Sequence, residues 1–96
     1  MAHFLAIYRP PRSTFGSDAT EEEERVIGEH FQYLKRLLAE GKLLIAGPCE
    51  DASMGLAVFE ARDEAEAKSI FAADPAVIGG VFRGEIKPYR VSLMRK

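Results

Sequence analysis

The hydrophobic positions of the chain change period several times, and each change marks a predicted element. Residues 3–8 are aromatic and aliphatic and stop at two prolines, which predicts a first strand because proline removes a donor from a sheet. Residues 12–19 contain Ser, Gly and Asp and are predicted to form a loop. Thr20 and Glu23 then have the spacing of a capping box, which predicts a long helix that ends at Gly41.

This helix carries an apolar stripe at helical spacing. The centre of the stripe is predicted at Ile27, Phe31, Leu34 and Leu38, with Val26 and Leu37 on its flank. His30 lies on the border of the stripe, so we expect its ring to be partly shielded from solvent.

The middle of the chain predicts a hairpin and a second helix. Residues 42–46 and 54–61 are two apolar runs joined by a polar link, as in paired strands. Asp63 and Glu66 repeat the capping-box spacing, and the helix that follows them is expected to end before Pro75.

A last strand is predicted after the Gly79-Gly80 pair. Its hydrophobic positions alternate as far as Leu93, and Pro88 within it is best tolerated at a sheet edge or a bulge. The predicted order is therefore βαββαβ, in one domain over residues 1–96. This order predicts an α+β ferredoxin-like sandwich, in which a four-stranded antiparallel sheet carries two helices on one face.

The other face of that sheet is expected to need a cover. Residues 4–8 and 56–59 are apolar on both sides, as in strands that are buried on two faces. A second copy of the same sheet is the simplest cover, because it closes a symmetric homodimer with cavities between sheet and helices.

Composition and charge narrow the function classes. The chain of 96 residues has 13 Lys and Arg against 15 Asp and Glu, a formal charge of −2, which argues against a nucleic-acid partner. Its single cysteine, Cys49, cannot form an internal disulfide, which favours a reducing compartment. No apolar run approaches the ~20 residues that span a bilayer, so we expect a soluble cytoplasmic protein without a membrane partner. Metal-ligand spacing and Gly-rich phosphate motifs are also missing, so neither a metal nor another cofactor is expected.

His30 is the best candidate for a general base, and Asp74 is its best partner. A half-shielded histidine beside a carboxylate can act as a proton shuttle near neutral pH. Each residue also has a purely structural explanation: His30 as a histidine at the core edge, and Asp74 as the N-cap of a helix with Pro75 at its first position. The two roles of Asp74 are compatible, because a carboxylate has two oxygens.

Weaker candidates lie at the ends of the first two strands. Arg9 could bind an anionic substrate group, although an arginine that faces solvent is the more common case. Gly47 and Pro48 have the composition of a turn that could also wall a pocket. Cys49 has no basic neighbour in sequence, so we expect an inert thiol.

The chain resembles the YCII-related (YciI-like) domain family over nearly its whole length. The residues that carry the resemblance are His30, Tyr33-Leu34, Leu37, residues 41–48, Ala65, Ala73-Asp74-Pro75 and Gly79-Gly80-Val81. The resemblance implies a ferredoxin-like fold that pairs into a dimeric α+β barrel, with an active site on a histidine and an aspartate that match His30 and Asp74. Tyr33, one of the residues that carry the resemblance, is a further substrate-binding candidate. Ala76 departs from the family, which often has a large aromatic there, and this leaves the shape of the pocket open.

Three functions follow from these residues. The resemblance implies an enzyme of the lyase, isomerase or dehydrochlorinase type that moves protons on a small cyclic or acidic organic substrate. The alternative is a non-catalytic dimeric module that binds a metabolite or a partner. A third possibility is haem binding through His30, which some proteins with the barrel architecture suggest.

Overall fold

Proline, glycine and capping side chains divide the described part of the chain into eight elements. The computed structural model describes residues 2–95. The strands are β1 (Ala2–Arg9), β2 (Leu43–Pro48), β3 (Gly55–Ala61) and β4 (Arg83–Pro88). The helices are α1 (Phe15–Asp18), α2 (Glu21–Ala39), α3 (Glu64–Ala72) and α4 (Pro75–Ile78).

The four strands form one antiparallel sheet in the order β2-β3-β1-β4. This is the order of a ferredoxin-like α+β fold, so the predicted fold class is confirmed. β4 lies at an edge of the sheet, where Pro88 costs no hydrogen bond to a further strand.

The helices cover one face of the sheet, and the core lies between them. Phe4, Ala6 and Tyr8 are the buried residues of β1, at every second position, as strand geometry requires when one face is covered. The rest of this core consists of Leu37, Leu43, Ala57, Phe59, Ala61 and Ala67. A smaller cluster under α1 and α4 consists of Phe15, Val26, Ala76 and Val81.

The start of α2 is fixed by the predicted capping box and by an arginine that the sequence did not single out. Thr20 Oγ1 accepts a hydrogen bond from the Glu23 amide at 3.1 Å, and the Glu23 carboxylate accepts one from the Thr20 amide at 2.8 Å. Arg12 donates to both oxygens of Glu23 at 2.8 and 2.9 Å. These bonds lower the pKa of Glu23 to about 2, and the hydrogen bonds from Arg12 have the largest effect.

The buried stripe of α2 differs from the predicted one. Phe31 and Leu38, placed at its centre by their hydrophobicity, are 59% and 56% exposed. The sheet-facing side of the helix instead follows Val26, His30, Tyr33 and Leu37 at spacings of four, three and four residues. The prediction was wrong for Phe31 and Leu38, because His30 and Tyr33 fill space beside the sheet while adding little to a hydrophobic pattern. Ile27 and Leu34 are partly buried against the core, as predicted.

Three further expectations about element boundaries were wrong. The predicted loop 12–19 contains the short helix α1, which buries Phe15. Gly47 and Pro48 do not form a turn but extend β2, because cross-strand pairing with β3 continues through both residues. The last strand ends at Pro88, and the alternating residues after it form no strand, although the Tyr89 amide still donates to the His3 carbonyl oxygen at 3.0 Å.

Replacing each of two glycines by alanine tests the backbone conformation inside α2 and just after its end. Gly28 lies inside α2 and Gly41 follows it with a φ of 78°, and a Cβ atom at either position would meet nothing within 4 Å. Gly28→Ala is expected to raise the free energy of unfolding by about 0.5–1 kcal/mol, because alanine favours the helix. Gly41→Ala is expected to lower it by about 1–2 kcal/mol, because a left-handed backbone strains alanine.

Urea denaturation of the two variants and the wild type measures both changes. A Gly41→Ala protein as stable as the Gly28→Ala protein would contradict the helix end described above.

Candidate active site

An imidazole and a carboxylate from different helices meet between the sheet and the helix layer. His30 lies in the middle of α2, and Asp74 precedes the first residue of α4. The Nδ1 atom of His30 lies 2.8 Å from Oδ1 and 2.7 Å from Oδ2 of Asp74. Residues that are 44 positions apart in the chain are therefore in direct hydrogen-bond contact.

Asp74 is held in place by its second role as a helix cap. Its Oδ1 atom accepts a hydrogen bond from the Ala76 amide at 2.9 Å, and Pro75 occupies the first position of α4. The Asp74 amide itself donates a hydrogen bond at 3.2 Å to the carbonyl oxygen of Phe71, a residue in the last turn of α3. The capping role and the contact with His30 thus coexist on one carboxylate.

The burial of Asp74 fixes the orientation of the His30 ring. Asp74 has no exposed surface, and a buried carboxylate is stable only when donors satisfy its oxygens. Since an ionised carboxylate only accepts, Nδ1–H of His30 is the donor, which leaves Nε2 of a neutral ring as an acceptor.

Nε2 of His30 is available to another molecule. His30 makes no other hydrogen bond with the described residues, and within that part of the chain no buried side-chain nitrogen or oxygen lacks a partner. Nε2 therefore reaches solvent, although the His30 side chain as a whole is only 12% exposed. The arrangement presents one acceptor atom at the end of a ring that is otherwise enclosed.

Aromatic side chains enclose the His30 ring. Its centroid lies 5.0 Å from that of Tyr8 and 5.3 Å from that of Phe82, and both contacts are edge-on. Tyr8 in turn stacks on Phe71 at 5.4 Å. Burial raises the pKa of Tyr8, and the charge of the neighbouring Asp74 and a side-chain hydrogen bond with it raise that pKa further.

Sequence reasoning missed Tyr8 as a residue of this site. Its position could have indicated this role, because Tyr8 is the last residue of β1 that faces the helices. The sequence-based prediction named its neighbour Arg9 instead. Arg9 points to the other side of the sheet, is exposed, and lies 3.2 Å from Glu85 through its Nη2 atom. The structure therefore does not bring Arg9 to the His30–Asp74 pair.

Tyr33 lies near the pair, but its hydroxyl is already used. It donates a hydrogen bond to the Ile70 carbonyl oxygen at 2.7 Å, and the Arg36 guanidinium lies 5.3 Å from its ring centre. Burial raises the pKa of Tyr33, and the charge of Asp74 adds to this effect. Its predicted contact with a substrate would involve the ring and not the hydroxyl.

Gly47 and Pro48 lie on the edge strand β2, two strands away from Tyr8 in the sheet. Pro48 pairs with Gly55, and Gly55 pairs with Tyr8. Pro48 thus belongs to the row of the sheet that ends at Tyr8, whereas Gly47 pairs with Leu56 in the next row. The predicted role of both residues as a pocket wall stays a prediction.

Two open cavities lie near the described surface, and neither is lined by His30 or Asp74. One has a volume of about 440 Å³ at the start of β1 and the end of β4, and the other, of about 420 Å³, lies between α2 and Pro75. Among residues 2–95, no three His, Cys, Asp or Glu side chains are grouped as metal ligands would be. None of the helices described is both long and apolar enough to cross a bilayer.

The fold and the pair define a class of protein: a ferredoxin-like α+β domain with a buried aspartate hydrogen-bonded to a histidine whose second nitrogen is accessible. A model of the YCII-related domain matches residues 1–90. The chain therefore belongs to the YCII-related domain family, as the residues around His30 and Asp74 suggested.

Two known proteins illustrate how far this likeness extends. The uncharacterized protein YjpA of Bacillus subtilis (strain 168) is 41% identical over 69 residues, which cover 72% of this chain and 80% of the relative. A solved structure, the 5-chloro-2-hydroxyhydroquinone dehydrochlorinase TftG from Burkholderia phenoliruptrix AC1100 in complex with 2,5-dihydroxybenzoquinone, matches with a TM-score of 0.66. That match covers 92% of this chain and 93% of the other at 22% identity, which shows a shared fold.

Proposed function

We propose that this protein is a small-molecule enzyme in which His30 transfers protons and Asp74 orients and stabilises its ring. One observation carries the proposal: Nδ1 of His30 contacts the buried Asp74 carboxylate at 2.7–2.8 Å, and Nε2 is accessible. A base needs a free acceptor atom, a fixed tautomer and a neighbour that stabilises its charged form, and the pair supplies all three.

The chemistry of such a pair is a proton transfer in two halves. His30 Nε2 takes a proton from a C–H or O–H bond of the substrate, and the electron pair of that bond forms a new double bond. In an isomerisation a double bond already present in the substrate opens at the same time, and its electrons take the proton back from the imidazolium at another substrate atom. In a dehydrochlorination chloride leaves with its bonding electrons, and the imidazolium releases its proton to water. Asp74 stabilises the imidazolium in both cases.

The substrate class is a small cyclic or acidic organic molecule. Two aromatic rings, Tyr8 and Phe82, border the imidazole, and such a border suits a planar ring. The fold that this chain shares with TftG, a dehydrochlorinase bound to 2,5-dihydroxybenzoquinone, supports the same class. The exposed single thiol of Cys49 suits a reducing compartment, and we propose the cytoplasm.

A non-catalytic module that binds a metabolite or a partner is the second candidate. It is favoured by the enclosure of the site: His30 is 12% exposed, and neither of the two cavities described includes it. In such a module Asp74 would cap α4 and fix a histidine without any proton transfer.

Turnover of a panel of chlorinated hydroquinones, 5-chloro-2-hydroxyhydroquinone among them, and small cyclic acids distinguishes the two. We expect His30→Ala to lower kcat by about 100- to 10,000-fold, because the proton acceptor is lost. Asp74→Asn is expected to do so as well. Its amide oxygen can still cap α4, but its NH₂ group would donate to Nδ1 and move the ring proton to Nε2.

His3→Ala is the matched control. His3 lies on the other face of the sheet, 3.3 Å from Glu60 through its Nε2 atom, and its loss is expected to leave turnover unchanged. Turnover by His30→Ala at the wild-type rate would overturn the mechanism, and a wild type that binds panel members without converting them would favour the module.

We also propose that a second copy of the chain covers the open face of the sheet. Leu5, Ile7 and Val58 lie there half-buried, and Ile45 and Leu56 are 67% and 38% exposed. The pairs His3–Glu60 and Arg9–Glu85 lie on the same face. An apolar patch that contains both charge signs at its border can pair with itself across a two-fold axis.

Light scattering after size-exclusion chromatography is expected to show twice the mass of one chain at micromolar concentration. Val58→Lys is expected to give a folded monomer, since it puts a charge between Leu5 and Ile45 in the middle of the face. Leu38→Lys, on the exposed side of α2, should leave the dimer intact. A monomeric wild type would refute the covered face.

A further inference from the structure

We infer that Tyr33 is a positioning residue of this site, whose hydroxyl holds the end of α3 in the shape that turns the Asp74 carboxylate toward His30. The inference rests on the proposed function and deepens it, because it adds a residue that acts through the pair. It begins from the hydrogen bond that the Tyr33 hydroxyl donates to the Ile70 carbonyl oxygen at 2.7 Å.

The carbonyl group of Ile70 lacks its usual helical partner. In a continuing helix it would accept a hydrogen bond from the Asp74 amide, four residues further on. That amide donates to the Phe71 carbonyl oxygen instead, because the chain leaves the helix with extended backbone at Asp74, where φ is −66° and ψ is 128°. The last carbonyl groups of a helix need donors from elsewhere, and the Tyr33 hydroxyl is such a donor.

Tyr33 also belongs to the part of α2 that carries His30. The two residues are three positions apart on the sheet-facing side, so their side chains lie one helical turn apart. Two hydrogen bonds therefore tie this part of α2 to residues 70–74: that of the Tyr33 hydroxyl, and that of His30 Nδ1 with the Asp74 carboxylate at 2.7–2.8 Å. When the hydroxyl is removed, only the second of them remains.

The surroundings of the Tyr33 ring keep its hydroxyl in place as a donor. The ring packs against the main core, and the Arg36 guanidinium lies 5.3 Å from its centre. Burial raises the pKa of Tyr33, and the charge of Asp74 raises it further, so the hydroxyl stays protonated near neutral pH. Tyr33 therefore serves the pair by geometry and is not a second base.

The rate at which the Nδ1 proton of His30 exchanges with water tests this role without a substrate. Tyr33→Phe removes only the hydroxyl and keeps the ring in the core, so the variant is expected to fold. Exchange is expected to become about 2- to 10-fold faster, which corresponds to one lost hydrogen bond, because the contact with Asp74 opens more often. Saturation transfer in ¹⁵N-edited NMR spectra measures this rate.

Two control variants separate a positioning role from a general loss of stability. Gly41→Ala is expected to destabilise the whole fold and to leave the exchange rate unchanged, because its strain lies after the end of α2, about three turns from His30. Tyr89→Phe removes the hydroxyl of an exposed tyrosine beyond the far end of β4, and it is also expected to leave the rate unchanged.

A wild type without a slowly exchanging Nδ1 proton would overturn the assignment. So would a wild-type exchange rate in Tyr33→Phe, or an equal acceleration in Gly41→Ala. With a substrate from the panel above, Tyr33→Phe is expected to lower kcat by about 2- to 10-fold and to leave KM unchanged, and a change in KM alone would contradict positioning. A wild type that converts no panel member would count against the proposed function, whereas proton exchange would still decide the role of Tyr33.

Discussion

The site depends on one constraint: the carboxylate of Asp74 is fully buried and must be satisfied by donors. The Ala76 amide supplies one of them and ties the carboxylate to the start of α4. The His30 imidazole supplies the other and ties it to the middle of α2. Removing either donor would leave a buried charge short of a partner, so the constraint that stabilises the fold also fixes the tautomer of His30.

This constraint explains which face of α2 is turned toward the sheet. The helix turns His30 and Tyr33 toward the layer that contains Asp74, and it leaves Phe31 and Leu38 on the outside. A buried histidine that donates to a carboxylate gains more from its partner than its hydrophobicity suggests, because the alternative is an unsatisfied carboxylate. Hydrophobic spacing alone therefore could not give the correct face of the helix, although it gave the helix itself.

Local signals in the sequence were sufficient for the parts of the molecule that depend on neighbours in the chain. Thr20 and Asp74 were recognisable as caps, and the order of elements followed from alternation and breaks. Long-range pairing decided what local signals did not: β3 keeps Gly47 and Pro48 in a strand. Tyr8 escaped notice for a related reason, since an apolar strand does not reveal which of its faces meets a helix.

A proton acceptor needs an accessible nitrogen and a fixed tautomer, and His30 in this site has both. ¹⁵N NMR of the imidazole of His30 near neutral pH measures that tautomer directly. The account predicts a protonated Nδ1 and an unprotonated Nε2 in the wild type, and the reverse in Asp74→Asn. A wild-type ring that carries its proton on Nε2 alone would contradict the account, because Asp74 would then orient no base.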